Sequence, residues 1–229
     1  MISSVGVGAT SSGGTGELYI DKTDDNYGIG ENLTFHADAE NNIALGANAL
    51  NNTAGDADEN IAIGTSALQY ITTGDSNMGI GYQALKNHVE GSRNIAIGHQ
   101  AMYATNDNIA DGSDDNMFIG FQSGSGTWAS ATSAYNVGIG NLTMIGAMND
   151  ANNNTAIGYS ALNAATTTDD NTAIGFEAGK ALTTGDGNTI LGCKTANTVD
   201  TMSNSVVIGH NVMKDVPASQ ALTGVVAIG

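Results

Sequence analysis

The chain has 229 residues, 31 of them Gly, one Pro and 41% apolar, and its 6 Lys+Arg against 23 Asp+Glu give a net charge of −17. So few basic residues exclude a duplex nucleic-acid footprint, which needs clustered Lys and Arg, and disfavour binding to an anionic membrane surface. No run approaches the ~20 apolar residues of a membrane span, and the single Cys193 has no partner in the chain for a disulfide.

Residues 1–25 read as a Gly/Ser/Thr-rich N-terminal lead-in or connector, with Ser11-Ser12-Gly13-Gly14-Thr15-Gly16 as its least structured part. The start, Met1-Ile2-Ser3-Ser4-Val5-Gly6, has no basic stretch followed by an apolar core, so no secretory signal is expected. Leu18-Tyr19-Ile20 is a short strand candidate. From residue 26 to 229 one phrase recurs, first in the degenerate copy Asn26-Tyr27-Gly28-Ile29-Gly30. Leu33-Thr34-Phe35-His36-Ala37 suggests another strand, and the regular array follows.

The clearest copies are Asn60-Ile61-Ala62-Ile63-Gly64, Asn94-Ile95-Ala96-Ile97-Gly98, Asn154-Thr155-Ala156-Ile157-Gly158 and Asn171-Thr172-Ala173-Ile174-Gly175. The phrase-ending glycines from Gly30 to Gly209 are spaced 16, 18, 17, 17, 22, 20, 18, 17, 17 and 17 residues apart. A near-constant period with occasional extra residues is the mark of a solenoid that takes insertions in its loops. The long intervals predict loop insertions at 99–119 and 121–139. A large aliphatic precedes each Gly, and a second hydrophobe or Thr stands two residues earlier, on the same face of a strand. The expectation is that this pair is buried. The small residue between them (Ala44, Ala62, Gly79, Ala96) would then face outward, where a partner could approach. Phe118 and Ile190 break the small-residue rule.

After each Gly comes x-x-Ala-Leu, as in Ala49-Leu50, Ala67-Leu68, Ala84-Leu85 and Ala161-Leu162, decaying to Ser123-Gly124, Ala178-Gly179 and Thr195-Ala196. Each ~17-residue coil is therefore expected to hold two short strands, bent at the Gly. The opening Asn recurs from Asn42 to Asn188 and suits a stacked amide ladder. Gly in every repeat costs a helix up to about 1 kcal/mol each, so the fold class is all-β, a parallel β-roll or β-solenoid. At about 4.8 Å per coil the rod is on the order of 50 Å long. It is thin, and lateral association would bury more apolar area.

These columns resemble the head repeats of trimeric autotransporter adhesins, the YadA-like left-handed parallel β-roll, and even more the repeat arrays of bacteriophage tail fibres. The adhesin phrase Asn-Ser-Val-Ala-Ile-Gly survives best as Asn204-Ser205-Val206-Val207-Ile208-Gly209. The resemblance covers about Asn26 to Gly229. It implies a left-handed coil, assembly as a parallel homotrimer, and a structural or adhesive, non-enzymatic role in a virion fibre. Other tail subunits would join through the N-terminal segment, and a host cell-surface glycan or protein would be the target. The absence of a signal, a coiled-coil stalk and a membrane barrel points to a phage rather than a bacterial surface adhesin head. Ending at Val225-Val226-Ala227-Ile228-Gly229 suits a cleaved or shortened fibre.

The long intervals hold the candidate receptor contacts: Tyr103, Asp107, Asp111, Asp114, Asp115, Trp128 and Tyr135. Loops on a rigid scaffold often carry function, and rings with carboxylates suit a glycan. Solvated insertions are the plain alternative. The Asp spacing matches no EF-hand loop, and no cofactor or metal is expected. His99 and His210 lie about six coils apart, in a column with Tyr82, Phe121, Tyr159, Phe176 and Cys193. That column reads as packing, with an ion-binding His cluster in a trimer as the alternative. His36 and His88 look solitary, and Cys193 reads as a small buried residue. A polysaccharide-cleaving tailspike would need paired carboxylates, for which no motif is visible. An ice-binding face would need a longer Thr column than Thr155, Thr172 and Thr189.

Overall fold

The computed structural model describes residues 7–8, 17–18, 41–52, 57–105, 113–128, 132–217 and 220–229. Among them there is no helix. Two-residue strands β1 (Val7–Gly8) and β2 (Glu17–Leu18) pair antiparallel. Tyr19, Ile20, the copy at 26–30 and the candidate strand at 33–37 lie outside the described residues.

The rest is a parallel β-solenoid. Its three-residue strands are β3 (Ile43–Leu45), β4 (Ile61–Ile63), β5 (Met78–Ile80), β6 (Ile95–Ile97), β7 (Met117–Ile119), β8 (Val137–Ile139), β9 (Thr155–Ile157), β10 (Thr172–Ile174) and β11 (Thr189–Leu191). Beyond β12 (Met202–Ser203) come β13 (Val206–Ile208), β14 (Leu222–Thr223) and β15 (Val226–Ile228). All but β12 and β14, which pair with each other, stack into one 11-stranded sheet in chain order. The register follows the phrase, for example Ile61↔Met78↔Ile95.

Two expectations are corrected. First, each coil carries one strand of this sheet, and x-x-Ala-Leu is a turn. Leu50, Leu68, Leu85, Met102, Met144 and Leu162 adopt φ between +46° and +52° and are buried. Ala67 N–H closes the turn on the Gly64 carbonyl at 3.2 Å, and Leu68 N–H reaches the Ala84 carbonyl of the next coil at 3.0 Å. A left-handed conformation costs an L-residue roughly 1–2 kcal/mol. Burying a Leu side chain returns about 1.5–3 kcal/mol, so the turn stands.

Second, the faces of the strand are the reverse of the expectation. The small middle residue points inward: Ala44, Ala62, Ala96, Ala156 and Ala173 are fully buried. The large flanking residues point outward, with Ile43 46% and Ile174 39% exposed. The reason is the narrow interior. A Cβ on Gly79 would lie 3.2 Å from both Leu68 Cγ and the Ala84 carbonyl oxygen. Where a Leu stands in the turn, as Leu68 does beside Gly79, the strand approaches so closely that a small middle residue is needed. Period two was read correctly, but side-chain size reports burial only where there is room.

The two largest exceptions obey the same rule; a third middle residue, Val207, is smaller and is also buried. Phe118 and Ile190 are large middle residues and fully buried. Their space comes from glycines where other coils place Leu or Ala. A Cβ at Gly124 would sit 2.7 Å from the Phe118 ring, and one at Gly179 would sit 2.9 Å from Ile190 Cδ1. The decay of Ala-Leu to Ser123-Gly124 and Ala178-Gly179 is therefore compensation. At the corner glycines the backbone needs both a left-handed φ and close approach. Gly64 has φ +128°, and a Cβ there would lie 2.4 Å from the Gly81 carbonyl oxygen.

The Asn column forms the expected ladder. Asn94 N–H donates to Asn77 Oδ1 at 2.9 Å, and Asn94 Nδ2 reaches Asn77 Oδ1 at 3.1 Å and the Ser113 carbonyl at 2.8 Å. The pattern continues through Asn116, Asn136, Asn154, Asn171 and Asn188. These amides are buried, where unpaired polar groups are costly. Each spends its donors and acceptor on the neighbouring coils.

Candidate functional site

The predicted receptor residues do not form one cluster. Asp107 and Asp111 lie outside the described residues. Trp128 is fully buried and meets Phe118 edge-on, with ring centroids 5.7 Å apart at 69°. A ring sealed in the core contributes packing, and no ligand reaches it in this conformation. The structure thus places the Trp128 ring inward beside Phe118 rather than on the outer surface.

Asp114, Asp115 and Tyr135 share an outer edge. Arg93 Nε donates to Asp115 Oδ1 at 2.7 Å, and Arg93 Nη2 to Asp115 Oδ2 at 2.9 Å and Asp114 Oδ2 at 3.1 Å. The hydrogen bond from Arg93 holds the Asp115 carboxyl below its usual range; partial desolvation opposes this, and the positive charge of Arg93 adds to it. The same pairing raises the Arg93 guanidinium above its ordinary value. Tyr135 N–H donates to the Asp114 carbonyl at 3.2 Å, and the Tyr135 side chain is 61% exposed. Among the described residues no three His, Cys, Asp or Glu side chains converge as a metal site. The neighbouring backbone uses further carboxylates as acceptors: Asp58 N–H donates to Asp75 Oδ1, Asn152 N–H to Asp169 Oδ1 and Asp169 N–H to Asp186 Oδ1. The acidic column is thus partly structural.

Tyr103 sits elsewhere, beyond the Met102 turn. Lys86 Nζ stands 5.9 Å from the centroids of both Tyr70 and Tyr103, a cation held between rings of successive coils.

The column after the corner Gly lies outside the core. Tyr82, Phe121, Tyr159 and Phe176 are 44–47% exposed. Their rings stack along the rod. His99 lies 5.0 Å from Tyr82 and 5.4 Å from Phe121, and Tyr159 lies 5.4 Å from Phe176 at 12°. Beside it runs a Gln ladder that the sequence reading missed: Gln100 Nε2 donates to Gln83 Oε1 and Gln122 Nε2 to Gln100 Oε1, both at 2.9 Å. The recurrence of Gln two residues after the Gly could have disclosed it. Cys193, in the ring column, is half-buried and free.

His88 is a core residue. Its Nε2 lies 3.1 Å from Asn94 Nδ2 and its Nδ1 lies 3.2 Å from Thr105 Oγ1. Thr105 Oγ1 in turn donates to the Met102 carbonyl at 3.2 Å.

Among the described residues, the 11-stranded sheet turns a long uncharged face outward. From Ile43 and Leu45 to Val226 and Ile228 its two columns hold aliphatic residues, Met and the three Thr, and no charged residue. No family model matches the chain, and no curated protein or solved structure matches it.

Proposed function

We propose that this chain is a segment of a trimeric adhesive fibre, carried on a phage virion or a phage-derived particle, that displays its edges and loops to a host surface. The observation that carries the reading is the uncharged outward face of the sheet. Ten steps of about 4.8 Å make it roughly 48 Å long. Contiguous apolar patches beyond a few hundred Å² mark interaction sites. A chain of net charge −17 repels its own copies over the rest of its surface, so self-association favours this face. Identical coils stacked in parallel let three copies meet rung against rung, in a parallel homotrimer of left-handed coils. The sequence phrase that resembles phage fibre repeats supports the setting. Corner and edge side chains, including Tyr103, Asp114, Asp115 and Tyr135, would remain outside such a contact and are available for attachment.

Light scattering of the purified chain tests the assembly: the mass of three chains is expected, and a monomeric mass overturns it. Ile97→Glu should dissociate the assembly, because a carboxylate in an apolar contact is costly unless paired. Incubation with host polysaccharide should release no new reducing ends; steady release would replace the binding role with a glycan-cleaving one.

A further inference from the structure

The outward ring column is interrupted at Asn141, which stands between Phe121 and Tyr159. In-register pairing of Ile119, Ile139 and Ile157 aligns three coils. The residues two positions on are Phe121, Asn141 and Tyr159. One face of Phe121 is covered by His99 at 5.4 Å. One face of Tyr159 is covered by Phe176 at 5.4 Å. In column order the next ring beyond each is the other, across the coil of Asn141. Farther along, Lys194 Nζ lies 5.8 Å from the Phe176 centroid, so that end of the stack is occupied.

Two coil steps of about 4.8 Å set the rings roughly 9.6 Å apart. A flat ring sandwiched there would fill only about 7 Å, two carbon contacts of about 3.5 Å each. A puckered saturated ring with hydrogens on both faces suits the wider slot. The floor is polar. Asn141 Oδ1 accepts the Phe121 N–H at 2.9 Å, which leaves its Nδ2 hydrogens to donate to a ligand hydroxyl.

We infer that this slot binds one all-equatorial hexopyranose unit of a glycan, of β-gluco configuration. Such a chair presents axial C–H groups on both faces and keeps its hydroxyls at the rim, so each aromatic face meets apolar hydrogens while the rim reaches Asn141 and water. An axial hydroxyl, as in a galacto-configured sugar, would press an oxygen against one ring without a hydrogen-bond partner. The slot adjoins the coils whose intervals, 22 and 20 residues, are the longest between Gly30 and Gly209, where a surface-facing segment has room to vary. The inference rests on the adhesive reading above and names its ligand class.

The test is saturation-transfer NMR and titration of the full chain with methyl β-D-glucopyranoside and cellobiose, with methyl β-D-galactopyranoside as the control. Transfer to the glucoside ring protons is expected, with the galactoside roughly tenfold weaker. Phe121→Ala and Tyr159→Ala should each weaken binding roughly tenfold, the scale of a lost ring contact, while Tyr82→Ala should not. These side chains lie outside the core, and circular dichroism checks that each variant folds. Equal binding of both sugars, or indifference to both slot variants, overturns the inference. A changed assembly mass in the slot variants also overturns it, since another copy of the chain would then fill the slot. Adhesion to host cells that the glucoside fails to compete would sink the slot alone. A monomer that binds the glucoside but no host cell would sink the fibre reading alone.

Discussion

Phe118 shows how one side chain sets the identity of its neighbours. It takes the middle strand position that Ala96 fills one coil earlier, and it reaches the space above Gly124 and Gly138, where built Cβ atoms would lie 2.7 and 2.4 Å from its ring. Gly124→Leu should therefore destabilise the fold by about 1–3 kcal/mol through overpacking. Phe118→Ala should cost about 3–5 kcal/mol through a cavity. The pair together should recover a large part of the loss, because Ala opposite Leu is the arrangement of the ordinary coils. Denaturant unfolding of the four species measures the coupling; strict additivity would show that the two sites do not share the space. The swap is legible in the sequence only as two unrelated irregularities, a large residue in a small column and a missing Leu. Contact between the columns explains both. Trp128 was misread for a related reason: position in a long interval says nothing of which way a ring points.

At the scale of the coil, the Asn, the strand and the Gly each do one task, and most of this was visible in the repeat. The Asn ladder and the left-handed corner Gly follow from residue type and period. The second strand was not real, because Ala-Leu was read as extended when the chain needed a tight return. Nothing in Leu itself signals a positive φ; burial against the next coil imposes it. Asn94→Ala should be costly, since it removes Asn94 Oδ1, the acceptor for Asn116 N–H at 3.0 Å and Asn116 Nδ2 at 3.1 Å. Asn116 Nδ2 keeps the Asp114 and Ser133 carbonyls, but leaving the buried Asn116 N–H unpaired costs about 1–3 kcal/mol, read as a lower unfolding midpoint; an unchanged midpoint would show that water replaces the amide. On the outer edge, Asp115 titrates below its usual range because Arg93 holds it charged. A depressed carboxyl contributes stability that is present above its unfolded value, near pH 4, and is lost as the pH falls through the lower folded value. Asp115→Asn should flatten the acid limb of the melting curve slightly, the pair being largely in water. A steeper acid limb in the variant would contradict the sign.

Across the whole molecule, the width of the solenoid decides which face stays outside. The sequence identifies the apolar columns and their common face but not the side of the wall they occupy. A thin solenoid fixes that by width alone: the interior takes Ala and the turn Leu, and the larger Ile column goes outward. The proposed lateral contact thus moves from the small-residue column to the aliphatic one, and the Ile97→Glu test is aimed at that face. The candidate attachment residues are divided between two outer positions, Asp114, Asp115 and Tyr135 on one edge and Tyr103 beyond a turn. A repeat fixes where columns lie, while the extra residues of the 22- and 20-residue intervals fall outside its period and are less readable.

The compensating pairs carry a consequence for how such a rod changes length. Ordinary coils are interchangeable: removing one shortens the rod by about 4.8 Å and rejoins the same Asn, Ala and Gly columns. The coils of Phe118 and Gly138 are not, because a bulky ring on one floor is housed by a void on the next. Duplication or loss of a unit is tolerated where neighbours are generic and punished where they are keyed. The two keyed places therefore act as fixed landmarks, between which a lineage can lengthen or trim the solenoid without losing count of its storeys.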